Sequence, residues 1–268
     1  MMKRIESRNN GIIKSVAALK DGAQRRAQGR FFFEGARLLE EYLRSGRVPH
    51  ALYVREDSFA RYSALIAGAG CEVYEVTAPV YDKITEEKAP QGILTVADML
   101  PEIKELSAGN AQEAAASFGQ GHAVILEGIQ DPGNAGTVIR TAAALGSAAV
   151  LCSCADIYSA KAVRATMGAL FFCNLAVCRS AQTAVNAFKA QGHRVIAAAL
   201  YGETKTLGRF NILPGDCFVI GSEGSGISAS TLESCDFAAR IPMTSGAESL
   251  NAAAAAAVFL WEAGKDKL

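Results

Sequence analysis

Three short stretches of this 268-residue chain hold residue types that could do chemistry. The first is Glu127-Gly128-Ile129-Gln130-Asp131-Pro132-Gly133-Asn134-Ala135-Gly136-Thr137-Val138-Ile139-Arg140. Asp131-Pro132-Gly133 has the chemistry of a turn, and Asn134 suits a helix N-cap. Arg140 follows six residues later, about one and two-thirds helical turns on. From there it could point back to a ligand held at strand ends, or it could be a surface residue beside a capping Asn134. The second stretch, Gly221-Ser222-Glu223-Gly224-Ser225-Gly226-Ile227-Ser228, offers glycines that let backbone N–H groups approach a ligand closely. Its spacing is not that of a dinucleotide loop, and it has no Gly-Lys pair of a P-loop. Glu223 would repel a pyrophosphate, so a neutral or cationic ligand fits better. The third, Ile241-Pro242-Met243-Thr244-Ser245-Gly246-Ala247-Glu248-Ser249-Leu250-Asn251, sets Ser249 and Asn251 at the head of an alanine-rich helical run. Ser249 reads there as the helix cap.

The elements that must position these loops follow from hydrophobic pattern. Apolar runs Ala123–Leu126, Ala148–Leu151, Val195–Leu200 and Cys217–Ile220 alternate with helical segments Thr137–Leu145 and Ala181–Gln191. Short, wholly apolar strands with helices between them imply a parallel sheet covered on both faces. Ligands of such sheets lie at the carboxyl ends of the strands, where the first two loops begin. Residues 1–98, with strand-like runs Ala51–Val54 and Cys71–Val76 among helical ones, read as a smaller α/β domain. Residues 99–121 are poor in large apolar side chains and read as a linker, leaving 122–268 as the second domain.

Composition narrows the classes. The chain is 50% hydrophobic and 20% charged, which fits a globular protein and excludes an extended disordered one. Formal net charge is zero, which excludes a uniformly basic nucleic-acid binder but permits a local patch. Residues 1–30 hold such a bias: eight Lys and Arg residues, among them Lys14, Lys20, Arg25, Arg26 and Arg30, against two acids. That segment implies either an anionic partner or a solvated helix face. The seven cysteines are scattered and form no Cys-x-x-Cys pair, so reduced thiols without a metal are expected. The first ten residues contain no signal-peptide core. Ala252–Trp261, the longest apolar run, is about half of what a membrane span needs. A cytoplasmic protein off the membrane is expected.

Taken together and in this order, Asn134 with Arg140, Gly221 with Glu223, and Ile241-Pro242-Met243 with Ser249-Leu250-Asn251 resemble the three motifs of the SpoU (TrmH-type) branch of the SPOUT methyltransferases. The likeness spans about residues 122–262. Phe33-Glu34-Gly35 with Arg37-Leu38, and Ala89-Pro90-Gln91-Gly92-Ile93-Leu94, resemble the L30e-like substrate-binding domain fused to many of these enzymes. The resemblance implies an α/β knot with a parallel sheet, plus a smaller N-terminal α/β domain. It further implies S-adenosylmethionine as cofactor, a homodimer with active sites at the subunit interface, and 2′-O-ribose methylation of RNA. A large-subunit ribosomal RNA is the expected substrate. A tRNA is the alternative, and a non-catalytic RNA-binding protein that keeps the fold is a further rival.

By position in the motifs, Gly221, Ile241 and Leu250, with Leu200 nearby, would contact the cofactor. Arg140 carries the central catalytic role in the family. A guanidinium has no acceptor and a very high pKa, so Arg140 is expected to hold a phosphate and steady the developing alkoxide rather than to take the proton. Asn134 would orient Arg140 or the ribose. Glu223 would fix the loop or Arg140, and Ser249 and Asn251 would bond the reacting nucleotide. Lys14, Lys20, Arg25, Arg26, Arg30, Arg37, Lys161 and Arg164 are the expected RNA contacts.

Overall fold

The computed structural model describes residues 3–107, 109–200, 202–244 and 249–265. Its first elements are β1 (Lys3–Ile5), α1 (Gly11–Ala18), α2 (Gly22–Gln28), β2 (Arg30–Glu34), α3 (Ala36–Arg44), β3 (Ala51–Arg55), α4 (Ser63–Gly68), β4 (Glu72–Val76), α5 (Ala78–Ile84) and β5 (Ile93–Asp98). There follow β6 (Lys104–Leu106), α6 (Ala111–Ala116), β7 (Ala123–Glu127), α7 (Pro132–Ala144), β8 (Ala148–Cys152), α8 (Ala160–Thr166), β9 (Leu175–Cys178), α9 (Ala181–Ala190), β10 (Val195–Ala198), β11 (Thr204–Thr206), β12 (Cys217–Gly221), α10 (Ala229–Ser234), β13 (Phe237–Arg240) and α11 (Ala252–Gly264). These form two compact units. One is the chain through Leu100 together with Asp156–Phe171; the other is Pro101–Ala155 with the chain from Phe172 onward.

The second unit is built on an eight-stranded sheet of order β11-β13-β10-β12-β7-β8-β9-β6. Every pairing in it is parallel. The four apolar runs of the sequence are its four adjacent central strands, β10, β12, β7 and β8. They are apolar throughout because both faces are covered. On one face Ile125, Val150, Cys152, Ala176 and Val219 pack with Phe188 of α9 and Phe118 just after α6. On the other, Phe218 meets Phe259 of α11, with ring centroids 5.4 Å apart.

Three details depart from the sequence reading. The stretch 99–121 is not a plain linker: β6 pairs in register with β9, Lys104 opposite Ala176, and α6 buries Ala111, Ala114 and Ala115. Its small side chains pack closely, which is why a search for large apolar residues passes over it. Helix α7 begins at Pro132 rather than at Asn134. Asp131 is the N-cap and accepts from Asn134 N at 2.9 Å, while Pro132 stands where its missing N–H costs nothing. The cap of α11 is Asn251, not Ser249; its Oδ1 accepts from Ala253 N and Ala254 N.

The first unit has a five-stranded mixed sheet of order β1-β4-β3-β5-β2, in which β5 runs antiparallel to both neighbours. The register sets Glu34 opposite Leu94 and so brings together the two segments singled out in this part of the sequence. Gly35 N donates to Ile93 O at 3.0 Å, and Gln91 Oε1 accepts from Ala36 N. Gly92 has φ +84°, and a Cβ there would lie 2.2 Å from Ser58 Oγ, so only glycine fits. Asp156–Phe171, which the sequence reading left inside 122–268, packs here: Ala160 joins this core, Phe31 meets Tyr158 and Phe33 meets Phe171. Lys161 and Arg164 of α8 therefore belong to the first unit.

Candidate functional site

The site lies at the carboxyl ends of the central strands in the second unit. There β7 and β12 run in register, with Glu127 opposite Gly221. Beyond Gly221 the chain folds back on itself: Gly226 N donates to Ser222 O at 2.9 Å, and Ser222 Oγ bonds Ser225. A Cβ on Gly221 would come within 2.2 Å of Gly226 C and 2.5 Å of Ile227 N. Both atoms are backbone and cannot swing away, so this hairpin-like loop exists only with glycine at its root.

Side chains join the three loops. Asn134 Nδ2 donates to Glu223 Oε1 at 2.5 Å, and Asn251 Nδ2 donates to Asn134 Oδ1 at 3.2 Å. One amide thus ties the first loop to the second, 89 residues away, and to the third, 117 residues away. This is possible because Asn134 is not the helix cap: Asp131 caps α7 and leaves the Asn134 side chain free. The bond to the carboxylate is the stronger of the two, since its acceptor is ionised.

Beside this junction a cavity of about 460 Å³ opens between the strand ends and α11. That size falls in the ~300–1,000 Å³ range of small-molecule sites. Its walls are small or apolar: Ala198, Ala199, Ile220, Ile227, Ala255 and Phe259, with the glycine loop itself. Leu200, Gly221, Ile241 and Leu250, the four expected cofactor contacts, all line it, as do Ser249 and Glu223. Among the described residues, the ionisable groups on its wall are Glu223 and Arg240. A glycine loop that exposes backbone groups, apolar side chains for a planar ring, and polar Ser222, Glu223, Ser225, Arg240 and Ser249 suit a ligand that joins a heterocycle to charged and hydroxyl groups, and fit S-adenosylmethionine. Residues 245–248 of the third motif lie outside the described residues.

Two expectations do not meet at this site. Arg140 is exposed on α7, does not line the cavity, and makes no ion pair or hydrogen bond with a described residue. Six residues beyond Asn134, it is turned by about 240° and displaced by about 9 Å along the helix axis. Asn251 and Asn134 spend their amides on the cap of α11 and on the loop junction rather than offering them outward.

Glu127 is a residue to which sequence reading assigned no role. Its carboxylate accepts from Ser228 N at 3.1 Å, Ser228 Oγ at 2.8 Å and Thr231 Oγ1 at 3.0 Å. It thereby pins the far end of the glycine loop to the strand beside it. The available signal was an acid directly after four apolar strand residues. Arg240 on the cavity wall had no expected role either, and Met243, part of the third motif, was assigned none of its own. Among the described residues no His, Cys, Asp and Glu side chains form a group able to hold a metal ion. No described helix is long and apolar enough to cross a membrane.

The expected RNA contacts of the first unit divide into two groups. Arg25 is a correction: it is 5% exposed, donates to Asp156 Oδ2 at 2.7 and 3.2 Å, and donates to the carbonyls of Leu19 and Lys20. Lys20 Nζ donates to the carbonyls of Lys83 and Thr85 at the end of α5, Arg30 bonds Asp98, and Arg164 pairs with Glu87. Lys14, Arg26 and Arg37 are exposed without such ties, and Lys161 is exposed.

Comparison with known proteins agrees with this geometry. The model of the SpoU rRNA Methylase family matches residues 121–261, and that of the MRM3-like substrate binding domain matches residues 10–95. The 23S rRNA (guanosine(2553)-2′-O)-methyltransferase RlmP of Bacillus subtilis is 32% identical over 267 residues, covering 97% of this chain and 98% of its own. An AdoMet-bound rRNA methyltransferase of Sinorhizobium meliloti superposes with a TM-score of 0.85 at 27% identity, covering 100% of this chain and 99% of that one. An RNA 2′-O ribose methyltransferase superposes at 0.80 with 28% identity, over 98% and 99%. The fold is that of an S-adenosylmethionine-dependent RNA methyltransferase of the SPOUT class. Within that class the chain belongs to the SpoU rRNA methylase family. Its activity is S-adenosylmethionine-dependent 2′-O-methylation of RNA.

Proposed function

We propose that this protein methylates a ribose 2′-hydroxyl of large-subunit ribosomal RNA in the cytoplasm, acting as a homodimer with its C-terminal segment threaded as a knot. The observation that carries the reading is the convergence of Glu223, Asn134 and Asn251 on one junction beside a cavity of about 460 Å³. The relative that acts on 23S rRNA aligns over nearly the whole chain, which favours ribosomal RNA as the substrate.

When bound, S-adenosylmethionine supplies a methyl group already activated by its sulfonium. The protein's contribution is positioning and charge control. The glycine loop rooted at Gly221 encloses the ligand, and Leu200, Ile241 and Leu250 give it an apolar bed. Glu223, Asn134 and Asn251 hold the three loops in one arrangement, so Asn134 acts as a tie rather than as a ribose ligand. Ser249, exposed at the cavity edge, is free to bond the nucleotide. Arg140 grips the phosphate next to the target ribose and steadies the alkoxide that forms as the hydroxyl loses its proton. The proton passes to a phosphate oxygen or to water.

The homodimer explains why Arg140 is remote from the cavity of its own chain. Helices α7 and α11 pack together, and α11 turns Ala254, Val258 and Trp261 outward, Trp261 being 55% exposed. A second copy covering this apolar stripe would bring its Arg140 to each cavity. A two-fold contact of this kind gives two equivalent sites.

The test is transfer of labelled methyl from S-adenosylmethionine to large-subunit rRNA and to tRNA, with ribose methylation mapped. The expected result is one methylated ribose in rRNA, lost in Arg140→Ala while calorimetric cofactor binding survives. Near-normal turnover by that variant would remove Arg140 from the mechanism.

A further inference from the structure

The first unit contains a second cavity, of about 190 Å³, between α1 and the sheet. Its apolar wall is Ile12, Val16, Leu19, Ala51 and Val96; its polar wall includes Arg30, His50, Tyr53 and Glu72. Tyr53 is the notable member. The residue is 3% exposed, and its hydroxyl makes no hydrogen bond to a described residue, yet that oxygen is not sealed from solvent. The residue is buried while its hydroxyl stays open to the cavity, so the oxygen is a donor available to whatever enters there. Burial also pushes the phenol up from its ordinary value, so the hydroxyl stays protonated well into the alkaline range. The Tyr53 ring is stacked on Tyr74 at 5.1 Å and 10°, so the hydroxyl is held on a rigid support.

The size of the cavity limits the ligand. It is smaller than the ~300 Å³ lower end of ordinary small-molecule sites, and its room suits one ring system rather than a whole nucleotide. Its walls combine apolar surface with the Tyr53 hydroxyl and the outer N–H groups of Arg30, whose Nε is spent on Asp98, while Glu72 is already engaged by Lys3 Nζ and the Tyr74 hydroxyl, each at 2.6 Å. Apolar walls with a fixed hydroxyl donor suit a planar heterocycle read along its edge. Lys14 and Arg26 are exposed on α1 and α2, the helices that lead up to the cavity, and could take the flanking phosphates.

We propose that this cavity receives one unstacked base of the RNA substrate, with the Tyr53 hydroxyl bonding the base edge. Recognition of splayed-out bases by edge hydrogen bonds is how proteins read single-stranded RNA. The proposal rests on the reading of the protein as an rRNA methyltransferase.

Tyr53→Phe removes only the hydroxyl, and His50→Trp places a bulky ring at the cavity wall. The probe is in-vitro-transcribed large-subunit rRNA, measured by filter binding, which requires no turnover. Tyr53→Phe is expected to bind this RNA about five- to tenfold more weakly, the worth of one hydrogen bond. Its KM for RNA should rise by the same factor, with kcat, cofactor binding and melting temperature unchanged. His50→Trp should bind more weakly still. RNA affinity within twofold of wild type in Tyr53→Phe overturns the proposal, whatever His50→Trp does. If the wild type binds the RNA but methylates none of it, the functional reading fails while the binding comparison still judges the cavity.

Discussion

The loops of the catalytic unit and the basic segment of the first unit hold the same kinds of polar residue in opposite circumstances. Around the cavity, Asn134, Glu223 and Asn251 have the composition of an exposed loop, yet each is bound to another across 89 or 117 residues of chain. In the first unit, Arg25 and Arg26 are neighbours in sequence and identical in type. Arg25 is buried on Asp156, whereas Arg26 is exposed. Charge read along a sequence therefore counts groups that could meet a ligand, while only the fold decides which of them are already occupied. The comparison also separates two ways of fixing a site. One depends on backbone closeness that only glycine permits, the other on side-chain pairs whose loss leaves a group unsatisfied.

Gly221→Ala should have the largest effect. The new methyl would meet backbone atoms at 2.2 to 2.5 Å, so the whole loop from Gly221 to Ile227 must move. Calorimetric affinity for S-adenosylmethionine is expected to fall by about a hundredfold or more, since the loop wall of the cavity is lost rather than one bond. Affinity within threefold of wild type would show that the loop is not the cofactor's enclosure.

Arg25→Ala comes next, and its effect appears in stability. Breaking a buried pair costs roughly 3–5 kcal/mol, and the partial exposure of Asp156 puts this one near the lower end. Urea denaturation should give a loss of about 3 kcal/mol, against less than about 0.5 kcal/mol for Arg26→Ala. Equal, small losses for both would mean that the neighbours do not differ as the structure has them.

Asn134→Ala should have a smaller effect than either, on function more than on stability. It leaves Glu223 and Asn251 without a common partner, and a hydrogen bond to a charged group is worth about 1.5–3 kcal/mol. Cofactor affinity is expected to fall by about ten- to a hundredfold with little change in melting temperature. A double-mutant cycle with Glu223→Gln sharpens this: the two losses should be strongly non-additive, and full additivity would break the proposed tie.

How much of this was legible in the sequence depends on where each signal is stored. The central strands β7, β8, β10 and β12 were readable because burial on both faces leaves an unbroken apolar run. Strands β6, β11 and β13 were not, being three or four residues long and set toward the edges of the sheet. The start of α7 was misplaced by three residues, although Asp131-Pro132 is itself a cap followed by a favoured first helical residue. Reading the pair as a turn hid the fact that Asn134 was free to join the loops. The cavity-lining residues Leu200, Gly221, Ile241 and Leu250 were found by resemblance, since apolar and glycine positions carry no chemical label of their own. The Arg25–Asp156 pair spans 131 positions and has no local signature.

The smallest effect should come from Lys14→Ala, and it bears on the exposed side of the comparison. Lys14 is solvated, so its removal should change stability by less than about 0.5 kcal/mol. If it meets an RNA phosphate, the loss appears in the salt dependence of binding. Each phosphate contact releases counterions, giving a slope in log K against log salt of about 0.7–0.9 per contact. Lys14→Ala should therefore lower that slope by about that much while weakening binding evenly across RNA sequences. Arg25→Ala, assayed where it remains folded, should leave the slope unchanged because its charge is already spent on Asp156. A slope change for Arg25→Ala and none for Lys14→Ala would reverse the assignment of the two residues, and with it the claim that burial rather than position along the chain selects the RNA contacts.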